Sequence, residues 1–165
     1  MIEPEPAPER LTVRQIESSH AGALGALLRR IEVFTADEVA CAIEVFGHAA
    51  EPGNQDYFAR VAELGGRLVG AVAYGQTPMT EGTWDLYWIA SDPECRRRGV
   101  GAKLLEVMEA DLVRRGARLV RVETSGLPIY EPTRAFYERL QYRETARIPD
   151  FYKVGDDLVM FTRRL

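Results

Sequence analysis

A chain of 165 residues, with 25 Asp and Glu against 21 Lys and Arg and a formal net charge of −4, has room for one globular domain or two very small ones. At 46% hydrophobic and 28% charged residues it reads as folded rather than disordered, and the acidic balance argues against a dedicated nucleic-acid binder. Cys41 and Cys95 provide neither a disulfide framework nor a metal-type pair, no apolar run approaches the ~20 residues of a membrane span, and the acidic, Pro-rich start MIEPEPAPER is unlike a targeting segment. The expectation is a cytoplasmic protein with no membrane partner and no metal.

Residues 1–9 are predicted to be a disordered tail preceding one domain over 10–165. Leu11 and Val13 alternate into a short strand. Ser18 and Ser19 can cap a helix over 20–32, where Leu24, Leu27, Leu28 and Ile31 recur at helical spacing. Thr35-Ala36-Asp37-Glu38 matches a capping box and opens a second helix ending at Gly47. Strands over 57–64 and 67–74 flank Gly65-Gly66, a two-residue hairpin signal. A loop over 75–82 leads to a third strand, 83–91, closed by Asp92-Pro93. A long amphipathic helix over 97–115 follows, with Leu104, Leu105, Met108 and Leu112 on one face and Gly116 as its stop. A strand over 118–125 comes next. Pro132 suits the first turn of a helix ending near Leu140, and strands over 142–147 and 158–164 end the chain, joined through IPDFYKVGDD. The order predicts an α/β (α+β) domain whose mixed, mostly antiparallel sheet is flanked by helices.

Chemistry concentrates in WDLYWIASDPECRRRGVG, residues 84–101. A strand ends, and a helix opens on Arg96-Arg97-Arg98-Gly99-Val100-Gly101. Free N–H groups and the helix dipole make such a start an anion site, glycines let a phosphate approach the backbone, and the arginines add charge-assisted donors. A diphosphate is the natural guest. The bland alternative is a solvated arginine run with a packing glycine, which the strand–loop–helix context disfavours. Gly-x-Gly-x-x-Gly is absent, because Leu104 occupies the third glycine position, and so is the P-loop pattern.

This segment resembles the GNAT superfamily of N-acetyltransferases, whose signature Gln/Arg-x-x-Gly-x-Gly/Ala is met by Arg96 to Gly101. Ala135-Phe136-Tyr137-Glu138-Arg139-Leu140-Gln141-Tyr142 is similar to the family's final-helix motif, and the element order agrees from Leu11 onward. The resemblance implies a GNAT-like acyl-CoA N-acyltransferase fold, acetyl-CoA as co-substrate and a primary amine of a small molecule or peptide as acceptor, attacked directly. It implies that Ile89, Ala90 and Ser91 meet pantetheine through backbone groups, that Arg96, Arg97, Arg98, Gly99, Val100, Gly101 and Ala102 hold the diphosphate, and that Thr133 and Phe136 complete the cofactor site. Two positions depart from the pattern. No Asn precedes the Phe-Tyr helix, and Gln141 stands where Gly usually ends it.

Tyr137 is the candidate general acid for the thiolate, since a phenol titrates near pH 10 and stays protonated at neutral pH. Asp85 and Glu123, on adjacent predicted strands, are candidate bases, and either could instead pair with Arg121. Strict alternation puts Asp85, Tyr87, Ile89 and Ser91 on one strand face. A non-catalytic acyl-CoA-binding or sensor module is the alternative to an enzyme, and an arginine-based nucleic-acid binder is a third reading that the lack of interleaved aromatics disfavours. The family often forms homodimers, but no interface is specified. Residues 94–121 carry eight basic and four acidic side chains, so a local positive field is expected inside an acidic chain.

Overall fold

The computed structural model describes residues 9–165, and the predicted tail therefore lies almost wholly outside the described residues. Seven strands, β1 Leu11–Gln15, β2 Phe58–Leu64, β3 Arg67–Gln76, β4 Thr83–Ser91, β5 Leu119–Ser125, β6 Arg143–Lys153 and β7 Asp156–Arg164, form one sheet in the order β1-β2-β3-β4-β5-β7-β6. Only the β4–β5 pairing is parallel; every other pairing is antiparallel. Helices α1 Ala21–Arg29 and α2 Ala36–Ala49 cover one sheet face, and α3 Val100–Arg114 and α4 Glu131–Arg139 cover the other. The mixed, mostly antiparallel sheet with helices on both faces is the expected class. Among the described residues, no helix is long and apolar enough to cross a membrane.

Each face has its own core. Leu24, Leu27, Leu28, Ala42 and Phe46 pack on Val61, Ala71 and Ala73. Leu104, Leu105, Met108 and Leu112 pack with Val72, Tyr74, Trp84, Leu86, Tyr137 and Phe161. The capping box forms as read: Glu38 N–H donates to Thr35 Oγ1 (3.2 Å) and Thr35 N–H to Glu38 Oε2 (2.7 Å). Helix α1 is shorter than 20–32: His20 belongs to a separate 3₁₀ turn, Ser18–His20, and the helix ends at Arg29 with Arg30 as its C-cap. Strand β3 runs two residues past its predicted end.

Two differences from the sequence reading matter. The long helix begins at Val100, not Arg97. Arg97 and Gly99 have φ of 67° and 73°, so the arginines form a loop over the helix end. The segment predicted to join the last two strands is itself strand: β6 reaches Lys153, and only Val154-Gly155 turn the chain. Pro149 and Asp150 (φ 54°) disrupt the register between Ile148 and Lys153, and this bulge hides the alternation that would betray a strand.

Gln141 ends α4 where a glycine would be expected. It takes the left-handed conformation (φ 66°), its N–H donates to Glu138 O, and Tyr142 N–H donates to Tyr137 O. These bonds satisfy the last carbonyls in the Schellman pattern, at the cost of a Cβ in left-handed space. Gln141→Gly is expected to raise stability by about 1 kcal/mol, read as an increase in the urea midpoint.

Asp111 ties α3 to the sheet. Its carboxylate accepts from Tyr74 Oη (2.7 Å), Arg115 Nε (2.9 Å) and Arg114 Nη2 (3.1 Å), with Arg60 Nη2 at 3.4 Å. Burial pushes its pKa up, but the Tyr74 hydroxyl and the arginines outweigh burial and leave it below the usual carboxylate value. A lowered carboxyl pKa contributes stability that is complete above about pH 4, the unfolded value, and fades as pH falls through the folded one. Asp111→Asn should lose about 2 kcal/mol at pH 7. It should also flatten the loss of stability below pH 4, as measured by urea unfolding at both pH values.

Candidate active site

Strands β4 and β5 pair only over Thr83–Leu86 and Leu119–Val122. Beyond this, β4 stays on β3 and β5 stays on β7, so the two neighbours part and leave an open edge on β4 from Tyr87 to Ser91. The cause lies in the pairing with β3: Trp88 sits opposite Ala73 and Leu86 opposite Tyr74, leaving Tyr87 unmatched. A bulge of this kind bends and twists its strand. It also overturns the alternation read from the sequence. Ile89 packs on the α3 side with Trp84 and Leu86, while Trp88 and Ala90 join the α1–α2 side.

The start of α3 is set against this gap by close contacts. A Cβ on Gly70 would come within 2.6 Å of Val100 and 3.0 Å of both Leu104 and the Ala90 carbonyl. The first turn of α3 therefore sits directly over β3 beside the end of β4. A Cβ on Gly101 would lie 3.1 Å from the Phe136 ring, so the two motifs read in the sequence touch each other. Among the described residues, the N–H groups of Arg97, Gly99, Val100, Gly101 and Ala102 have no backbone or side-chain acceptor. Arg96, Arg97 and Arg98 are exposed around them, with Arg98 3.5 Å from Glu9. Elsewhere in 94–121, Arg114 and Arg115 are taken by Asp111, Arg121 by Asp85 and Lys103 by Glu106, while Arg118 meets the Glu81 carbonyl.

The loop before α3 is pinned by a residue the sequence reading treated only as a strand end. Asp92 is 0% exposed. It accepts from Arg30 Nη2 (2.8 Å), Arg67 Nη1 (3.0 Å) and the Glu94 N–H (3.0 Å). The Asp-Pro pair that caps the 3₁₀ turn Pro93–Cys95 was its only signal. Cys95 is buried under this turn.

The candidate acid and bases fall on opposite sides of the sheet. Tyr137 is 3% exposed and packs between Tyr142 and Phe161 on the α3–α4 side. Its hydroxyl has no protein partner among the described hydrogen bonds, and burial raises its pKa above the ordinary value. Glu123 lies on the other side with its side chain 38% exposed, 3.5 Å from Arg121 Nη1. Asp85 is 6% exposed and has both oxygens engaged, by Arg121 Nε (2.5 Å) and Thr77 Oγ1 (2.8 Å). Thr133 lies in the first turn of α4, half-buried.

Aromatic groups gather on the Glu123 side. Phe34 meets Trp88 edge-on at 5.4 Å, and Tyr57 meets Tyr87 at 5.5 Å. The Tyr130 hydroxyl donates to Val33 O (3.0 Å), tying the start of α4 to the α1–α2 loop. Burial raises the pKa of Tyr130 and Tyr152, helped by the nearby acids Glu38 and Asp156 for both and by Glu123 for Tyr152. Among the described residues no cluster of His, Cys, Asp and Glu is placed to hold a metal ion.

Residues 27–142 match the model of the acetyltransferase (GNAT) family, and the chain belongs to that family. Over 107 residues it is 29% identical to an uncharacterised N-acetyltransferase of Methanocaldococcus jannaschii, a match that spans 63% of this chain and 64% of that protein. Its fold superposes on a GNAT-family protein from Desulfovibrio desulfuricans with a TM-score of 0.89 and 33% identity, covering 94% of this chain and 99% of the other. The fold is shared by the ribosomal-protein-S18-alanine N-acetyltransferase of Escherichia coli (TM-score 0.75, 20% identity, 94% of each chain). An aminoglycoside 6'-N-acetyltransferase solved with coenzyme A also shares it (TM-score 0.73, 18% identity, 93% of this chain and 96% of that one).

If Asp92 anchors the arginine loop, Asp92→Ala should cost about 2 kcal/mol, the worth of hydrogen bonds to a charged group. That corresponds to a fall of about 4–8 °C in Tm for a chain this size, measurable by calorimetry.

Proposed function

We propose that this protein transfers an acetyl group from acetyl-CoA to a primary amine of a small molecule or peptide by direct attack. The observation that carries the reading is the gap between β4 and β5. The partner-free N–H groups of α3 lie at one end of it, Tyr137 on one sheet face and Glu123 on the other. Bound acetyl-CoA would supply an activated thioester carbonyl.

The residues present suit that co-substrate. The N–H groups of Arg97, Gly99, Val100, Gly101 and Ala102 and the three exposed arginines form a cradle for a diphosphate. The open space above Gly99, where an added Cβ would meet nothing within 4 Å, leaves the backbone reachable. The open edge of β4 at Ile89, Ala90 and Ser91 offers backbone groups to a pantetheine chain as a neighbouring strand would. A β4 N–H there would support the charge that develops on the carbonyl oxygen.

Glu123 takes the amine proton, directly or through water, from the more open face. Tyr137 holds its own proton, because burial disfavours the phenolate, and donates it to the departing thiolate from the other face. The aromatic and acidic lining on the Glu123 side suits a cationic amine. Two unpaired cysteines, one exposed and one buried, suit the reducing cytoplasm.

Purified protein given acetyl-CoA and a panel of primary amines (aliphatic diamines, aminoglycosides and peptides with free N-termini) is expected to release free CoA, read with a thiol reagent. CoA binding without turnover of any amine would overturn the enzyme reading in favour of a binding module. Tyr137→Phe should lower kcat by about 100-fold while leaving the KM for acetyl-CoA within about threefold. No alkaline fall in kcat from Tyr137 should appear below about pH 10.

A further inference from the structure

Asp85 is a buried carboxylate beside the gap whose two oxygens are each already engaged by a donor. It sits on β4 two residues before the bulge and in register with Arg121 on β5. From it a continuous line of contacts runs to the reaction gap. Thr77 Oγ1 donates to Asp85 Oδ2 at 2.8 Å, Arg121 Nε donates to Asp85 Oδ1 at 2.5 Å, and Arg121 Nη1 lies 3.5 Å from Glu123 Oε1. Arg121 thus reaches two carboxylates with different edges of one rigid guanidinium plane.

The arrangement resolves a conflict. A guanidinium beside Glu123 restrains that side chain, but it also sets a positive charge where a cationic amine must arrive. A second carboxylate on the same guanidinium offsets that charge. The trio Asp85, Arg121 and Glu123 carries a net −1, and Glu123 is the member that faces outward. We propose that Asp85 is a positioning and charge-balancing residue for the acceptor: it fixes Arg121, which fixes Glu123, and it keeps this part of the gap net negative toward an incoming ammonium. The assignment rests on the reading of Glu123 as the base.

The test compares Asp85→Asn, Arg121→Gln, the double variant and Glu123→Gln. The acceptor is the amine of the panel with the highest kcat/KM. Asp85→Asn keeps shape and one acceptor oxygen for Thr77 but leaves Arg121 opposed by Glu123 alone, so the trio's formal charge goes from −1 to 0. It should raise the amine KM at least about tenfold and move the acetyl-CoA KM by less than about twofold. The double variant removes both charges and should bring the amine KM back within about threefold of the parent, although kcat stays low because Glu123 has lost its restraint.

A merely structural role predicts the reverse. Both KM values and Tm would then move together in Asp85→Asn, and the double variant would be no better; that result would overturn the proposal. If Asp85→Asn does not fold, Arg121→Gln alone decides. An amine KM that is unchanged or lower, with kcat reduced, supports charge balance, and a raised amine KM overturns it. Glu123→Gln separates the two levels of inference. Unchanged kcat there sinks the base assignment and this proposal with it, whereas a large kcat loss beside an unaffected Asp85→Asn sinks only the charge-balancing role.

Discussion

Strands β4 and β5 exchange hydrogen bonds over four residues each and then separate. Backbone donors and acceptors rarely go unpaired inside a sheet, because each one left unmet costs about 1–3 kcal/mol. A gap between parallel neighbours therefore needs a cause that outweighs pairing. Here the cause is a single extra residue, Tyr87, which shifts the register of β4 on β3. The Tyr87 ring lies against Tyr57 on the Glu123 side of the sheet, and Gly75 gives it room, since a Cβ there would meet that ring at 2.9 Å. With β4 turned away from β5, its outer edge stays open, and the start of α3, the Tyr137 face and the Glu123 face all converge on the opening.

The second organising constraint is electrostatic. Of the four buried aspartates, Asp85, Asp92 and Asp111 each hold arginine, and Asp156 accepts from Ser125 Oγ. A buried carboxylate needs such hydrogen-bonding partners, and each arginine pair also fastens one element to another. Asp111 joins α3 to β2 and β3, Asp92 joins the loop before α3 to Arg30 and Arg67, and Asp85 joins β4 to β5. These pairs absorb most of the basic side chains near the site. The arginines left exposed there are the three at the start of α3, where a helix dipole and free N–H groups already favour an anion.

The site is two-sided as a result. One face presents a buried phenol with its proton held in place, and the other presents a carboxylate among aromatic rings and further acids. Both kinds of group sit on elements tied down by capping, packing or ion pairs. Such anchoring fixes where each side chain stands relative to the gap.

Much of this was legible in the sequence. Helical spacing located α1 and α3, a capping box located α2 and Pro132 the start of α4, the Gly65-Gly66 turn located the β2–β3 hairpin, and the Arg-Arg-Arg-Gly-Val-Gly and Phe-Tyr motifs marked two patches that meet as Gly101 against Phe136. These signals are local, because periodicity and turn chemistry act over a few residues. The tertiary structure decided the rest. The bulge at Tyr87 reassigned Ile89 to the other face, and Asp150 concealed half of β6. Asp85 became an arginine-bound buried group while Glu123 remained open. Composition and spacing name the candidate carboxylates, but which one is free depends on which guanidinium folding brings within hydrogen-bond reach, and that is settled by strand register between segments 36 residues apart.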